Sequence, residues 1–205
     1  MNIDDTTNSD LNGPELNSRV YTTIKDQKGW SALHVACQNG HIEVIKLLID
    51  VGMNINDTTN SGSTPLHKAC QEGHYETVKF LLDLNGQALN SRVHTTLKND
   101  KGWLAFHLAC RNGHIEVVKL FIDADQQGWS ASHVACQNGH IEVVKLLIDV
   151  GMNINDTTNS GSTPLHKACQ QGHYETLKFL LDLNGQALNS VHTTLKTTKD
   201  GQLFI

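Results

Sequence analysis

The sequence predicts an all-α fold, a solenoid of stacked antiparallel helix pairs. Three observations carry that expectation. Residues 30–91 recur at 129–190 with four changes, Leu33 to Ser132, Ile45 to Val144, Glu72 to Gln171 and Val78 to Leu177, a duplication offset by 99 residues, or three periods of 33. A His-x-x-Cys-x-x-x-His spacing occurs five times, beginning at His34, His67, His107, His133 and His166. With 39% apolar and 5% aromatic residues in 205, the chain is thin for one large core and suits a modular fold whose shallow core lies between neighbours.

Residues 62–86, GSTPLHKACQEGHYETVKFLLDLNG, show how one unit is built. Thr64 is placed to cap a helix whose first position is Pro65, where a missing N–H costs nothing, and Leu66 and Ala69 then share a face. His67, at the third helical position, reaches back toward the Thr64 hydroxyl as glutamate does in a capping box. Gly73 ends the helix by supplying a left-handed residue. A second helix starts near Tyr75, with Glu76 at its positive end and Lys79 three residues on as its partner. Val78, Phe80, Leu81 and Leu82 form its apolar stripe. Each unit therefore reads helix, tight glycine turn, helix.

GSTPLHKACQEGHYETVKFLL and GWSALHVACQNGHIEVIKLLIDVGMNIN resemble ankyrin repeats, because T-P-L-H, A-C-x-x-G-H and V-x-x-L-L recur together in register. The resemblance implies a unit of two antiparallel helices with a projecting β-turn finger. It covers residues 28–189 as five units, about 28–57, 58–90, 101–127, 128–156 and 157–189, with a long linker at 91–100. Residues 1–27 read as an irregular remnant of a repeat, since 10–30 copy the linker at 83–103 without a helix pair, and 190–205 as an irregular tail. Neither terminal unit shows the polar outer face of a capping repeat, so the ends are expected to be covered by a longer array or by another molecule.

Two units depart from the pattern. In the third, GWLAFH replaces the T-P-L-H start and puts Leu104 at the capping position, at a cost of about 1 kcal/mol. In the fourth, Ser132 replaces the core leucine. Linkers from Asp50, Asp83, Asp123 and Asp149 to the next unit's glycine run 12, 19, 5 and 12 residues. The short one, ADQQG at 124–128, leaves too little chain for a projecting finger, and residues 104–133 are expected to hold the weakest joint of the stack.

Composition narrows the chemistry. A net charge of −5 without a lysine or arginine cluster argues against nucleic acid, and no apolar run reaches the ~18 residues a membrane span needs. The start has neither a basic segment nor an apolar run, so it does not read as a secretory signal. The five cysteines, Cys37, Cys70, Cys110, Cys136 and Cys169, occupy one repeat position, too far apart between stacked helices to pair. Buried free thiols in a cytoplasmic or nuclear compartment are expected. The His/Cys spacing suggests a metal site, yet capping and small-residue packing account for these residues, and duplication repeats them without selection for a ligand. No nucleotide-binding loop, nucleophile elbow or carboxylate pair appears. The reading is a chain without catalytic residues, cofactor or metal. Asn56 and Asn155, at the finger bases, occupy positions where ankyrin asparagines are hydroxylated, although Asn54 and Asn153 stand where an acidic residue is usual.

By the resemblance, first helices line a concave side, fingers project along one edge, and a protein partner lies across both. The exposed variable positions are then the residue after the finger glycine, Trp30, Ser63, Trp103, Trp129 and Ser162, and the pair before the turn glycine, such as Gln38 with Asn39 or Gln137 with Asn138. From these, Trp30, Trp103, Trp129, Gln38, Arg111, Asn112 and Gln137 are the candidate contact residues, because surface tryptophan and arginine dominate interfaces. Trp103 and Trp129, in adjacent units, would form one aromatic patch with Arg111 nearby. The expected function is a non-catalytic scaffold for a protein partner. Its rival is an architectural segment that self-associates through uncapped ends.

Overall fold

The computed structural model describes residues 23–84, 93–123, 131–183 and 185. The chain divides into two compact units, one comprising Met1–Ala109 with Glu116–Ala124, the other Cys110–Ile115 with Asp125–Ile205. The division falls in the short ADQQG link, within the helix Ala105–Asn112 and at the start of the helix Ile115–Asp123. Residues 124–130, with Trp129, lie outside the described residues, so the missing finger is an expectation about a segment the structure does not describe.

Short helices alternate with tight turns as the sequence pattern requires. They are α1 (Ala32–Gln38), α2 (Ile42–Asp50), α3 (Pro65–Glu72), α4 (Tyr75–Asp83), α5 (Ala105–Asn112), α6 (Ile115–Asp123), α7 (Ala131–Gln137), α8 (Ile141–Asp149), α9 (Pro164–Gln171) and α10, residues 174–183. In the first unit α1 packs on α3, with α2 against α1 and α4 against α3; in the second, α7 packs on α9, with α8 against α7. Helices this short are not stable alone, so burial between neighbours decides the fold. In the first unit Leu33, Cys37, Ile45, Leu66, Cys70, Val78 and Leu81 fill the layer between pairs, and Phe106 meets Phe121 at 5.5 Å between ring centroids. Ala131, Ala135, Val143, Leu147, Ala168 and Leu180 do the same in the second.

The capping box forms as the sequence predicts. Thr64 Oγ1 accepts from the His67 N–H at 3.3 Å, and His67 Nδ1 accepts from the Thr64 N–H at 3.2 Å. Thr163 and His166 repeat the arrangement in α9, and Gly73 ends α3 in the left-handed region at φ 76°. At the third unit Leu104 supplies only the backbone half, its N–H donating to His107 Nδ1 at 3.2 Å. Restoring the hydroxyl with Leu104→Thr is therefore expected to raise stability by about 1 kcal/mol, read as a higher urea midpoint with an unchanged slope.

Three corrections follow from the packing. Four cysteines are buried, but Cys169 is exposed, because among the described residues no helix pair follows α9 and α10 to cover it. Ser63 is buried, since its backbone closes the finger turn. The Glu76–Lys79 pair does not form. Glu43–Lys46, Glu116–Lys119 and Glu142–Lys145 do, at 2.7–2.8 Å, whereas Lys79 Nζ lies 6.0 Å from the centroid of Tyr75, the aromatic residue standing where those units carry isoleucine.

The fingers are four-residue turns closed by their first side chain. Asp26 Oδ1 accepts from the N–H groups of Lys28 and Trp30, each at 2.8 Å, and Asn99 Oδ1 does so from Lys101 and Trp103, each at 3.0 Å. Thr59 and Thr158 act through a hydroxyl on Ser63 and Ser162. In the first unit successive turns bond to one another, Asn60 N–H to Lys28 O at 3.0 Å and Asp100 N–H to Ser61 O at 3.1 Å. The turn at 99–103 keeps this register despite the longer linker before it. Met53, Ile55 and Val93, at the finger bases, are buried.

Candidate protein-interaction surface

The histidines set how much of each repeat remains available for binding. Because a backbone N–H only donates, the Thr64 N–H on His67 Nδ1 fixes that nitrogen as unprotonated and places the ring proton on Nε2. His67 Nε2 then donates to Trp103 O at 3.0 Å, in the next repeat. His34 Nε2 and His133 Nε2 donate in the same way to Ser63 O and Ser162 O, each at 3.0 Å. The second histidine of each spacing points the other way. His74, His140 and His173 donate through Nε2 to Gln38 O, Arg111 O and Gln137 O in the preceding repeat, at 2.7, 2.8 and 2.9 Å. Each of these rings lies over the turn glycine of that repeat, where an added Cβ would fall 2.5–2.7 Å from Nδ1 of His74, His140 or His173. The His-x-x-Cys-x-x-x-His spacing is thus a two-way strap between neighbouring repeats.

Burial disfavours the charged form of the first histidine in three of the repeats. Desolvation lowers the pKa of His34 and His67, and that of His107 to about 4, Lys98 and His67 adding to the effect on His107. Desolvation pushes the Cys37 and Cys136 thiols up to about 12 and Cys110 further still, so they stay protonated and make poor nucleophiles. His133 Nδ1 is buried without a hydrogen-bond partner among the described residues, a local weakness beside Ser132.

The candidate contact positions differ in how far they remain accessible. Trp30 is half-buried, its ring 6.2 Å from His34 and under Lys68 Nζ, 4.3 Å from the centroid. Burial lowers the Lys68 pKa. Trp103 is half-buried and Gln38 is likewise, while Arg111, Asn112 and Gln137 are exposed. Trp30 and Gln38 fall in the first compact unit with Trp103, and Arg111, Asn112 and Gln137 in the second. The proposed pairing of Trp103 with Trp129 lies outside the described residues. Asn39 and Asn138 are less available than their positions suggested, since each side chain donates back to its own helix, to Val35 O at 2.8 Å and Val134 O at 2.9 Å. Lys68 escaped notice in the sequence; its signal is a lysine directly after the T-P-L-H histidine, one repeat beyond a finger tryptophan.

The profile described as "Ankyrin repeats (3 copies)" matches residues 12–93, 86–158 and 106–192. The chain belongs to the ankyrin-repeat family. Ankyrin repeats generally mediate protein–protein interaction, and the buried, protonated thiols and strapped histidines here accord with a binding module. Two curated ankyrin-type relatives share a short segment with it: the 26S proteasome non-ATPase regulatory subunit 10 of Homo sapiens and that of Mus musculus, each 36% identical over 50 residues. The match covers 24% of this chain and 22% of each relative. Among the described residues, no helix is long and apolar enough to cross a membrane.

Proposed function

We propose that this ankyrin array is a non-catalytic scaffold that holds a protein partner across its first helices and fingers. The observation that carries the reading is the setting of Trp30. Its backbone is clamped to Asp26, its ring is pinned beneath Lys68, and part of its surface stays open. A rigid aromatic group whose conformation is already fixed loses little entropy on binding, which is what an interface anchor requires. Trp103, Trp129, Gln38, Arg111, Asn112 and Gln137 complete the proposed contact set, with amide groups suited to backbone and polar side chains of a partner. We place the protein in the cytoplasm or nucleus, where its thiols stay reduced.

A partner captured from lysate and identified by mass spectrometry supplies the ligand for calorimetry. Trp30→Ala and the double variant Trp103→Ala/Trp129→Ala are each expected to weaken binding about tenfold or more, with the helical circular dichroism signal retained. Unchanged affinity in both variants would remove these residues from the interface.

A further inference from the structure

Five copies of each repeat position allow a comparison that a single domain does not. Exposure at one copy and burial at the others marks a face that no described residue covers. In the second helices Thr77, Val117, Val143 and Thr176 are each 1% exposed, while their counterpart Val44 is 46% exposed. Leu47 beside it is 62% exposed. In the first helices Pro65, Ala105, Ala131 and Pro164 are buried, and their counterpart Ala32 is exposed. These residues form the face that, in the second repeat, lies against the repeat before it. The first repeat therefore carries the apolar face of an internal one.

Among the described residues, the fifth repeat is uncovered on its opposite face. Cys169 is exposed where Cys37, Cys70, Cys110 and Cys136 are buried. His166 is exposed where His34, His67 and His133 are buried and donate to the next finger. Among the described residues nothing stands within 4 Å of where a Cβ on Gly172 would lie, whereas a histidine ring covers Gly40, Gly113 and Gly139.

We propose that these two faces are complementary and that a second copy of this chain stacks head to tail, its first repeat seated on the fifth repeat of its neighbour. The groups left open at the two ends match in kind and number. His41, exposed at the first repeat, is the counterpart of His74, His140 and His173, and Gln170 O is the counterpart of the carbonyls those rings reach at Gln38, Arg111 and Gln137. His166 Nε2 is the counterpart of the His34, His67 and His133 donors, and Trp30 O corresponds to their acceptors at Ser63, Trp103 and Ser162. Stacking places the His41 ring over Gly172 and Val44 against the layer that ends in Cys169. Both straps of the internal junctions are then completed between copies. The contact joins two different surfaces, so association continues beyond a dimer. It uses the ends of the array and shares with the partner surface proposed above only Trp30, here through its backbone carbonyl.

Sedimentation velocity of the full chain across a wide concentration range tests this. The wild type is expected to grow in mass with concentration. Val44→Lys blocks the first-repeat face and Cys169→Arg the fifth-repeat face, so each variant alone is expected to stay at the monomer mass. An equimolar mixture retains one open face on each partner and should give a one-to-one dimer that grows no further. Circular dichroism checks folding, and Leu47→Lys with Leu181→Lys provides a second pair if either first variant loses its helical signal. A wild-type mass independent of concentration, a mixture that stays monomeric, or a single variant that still associates would each overturn the proposal.

Discussion

His67→Ala is expected to destabilise the protein by about 3 kcal/mol. The ring joins three elements. Its Nδ1 accepts the Thr64 N–H and its Nε2 donates to Trp103 O, so truncation leaves a buried amide without a partner, at about 1–3 kcal/mol, and removes one of the two bonds to a carbonyl that the Asn99 N–H also holds. The cavity left behind adds to the loss. His166→Ala provides the contrast. His166 makes the same capping bond to Thr163, but it is exposed, and water takes the place of the ring. Its replacement is expected to cost about 1 kcal/mol, the value of a cap alone. Urea midpoints at neutral pH measure both. Equal losses at the two positions would show that the strap to the next repeat contributes nothing beyond the cap.

The same histidines explain how much was legible in the sequence. T-P-L-H is a local signal, because Thr64, Pro65 and His67 act on one helix end, and reading it required no knowledge of the neighbouring repeat. The second role of His67, its bond to Trp103 O, involves a residue 36 positions away and emerges only when repeats are stacked. Gly73 as a helix stop is likewise a local signal. A second role of the turn glycine, leaving room at Gly40, Gly113 and Gly139 for a ring from the next repeat, is invisible until that ring is placed. The finger turns carried a usable signal, Asp, Asn or Thr three residues before the glycine, at Asp26, Thr59, Asn99 and Thr158. The same pattern stands at Asp125-Gln-Gln-Gly128-Trp129, so the short linker keeps the residues that close a turn and lacks counterparts of Met53 and Ile55. A contact surface is harder to read. Its side chains answer to a partner's chemistry, and the array folds equally well with glutamine or arginine before the turn glycine, as Gln38 and Arg111 show.

Acidification from pH 7 to 5 is expected to remove about 2 kcal/mol of stability through His107 alone. The buried ring is neutral in the native state, its pKa lowered to about 4 by desolvation first and then by the charges of Lys98 and His67. In the unfolded chain the ring takes a proton near pH 6.5. Above that value neither state is protonated and stability is full. Below it the unfolded state gains a proton that the native state refuses, so stability falls by about 1.4 kcal/mol per pH unit until the native ring titrates near pH 4. His34 and His67, also lowered by burial, act in the same direction. For both, a proton on Nδ1 would face the N–H of Ser31 or Thr64 and open the capping box. Carboxylates with ordinary values titrate largely below this window, which isolates the histidine contribution. Urea midpoints are expected to be flat above pH 7 and to fall steadily toward pH 5. His107→Gln, which keeps an acceptor for the Leu104 N–H without a titrating ring, should flatten that fall. A midpoint independent of pH between 5 and 7 would mean that these rings are not held neutral by the fold.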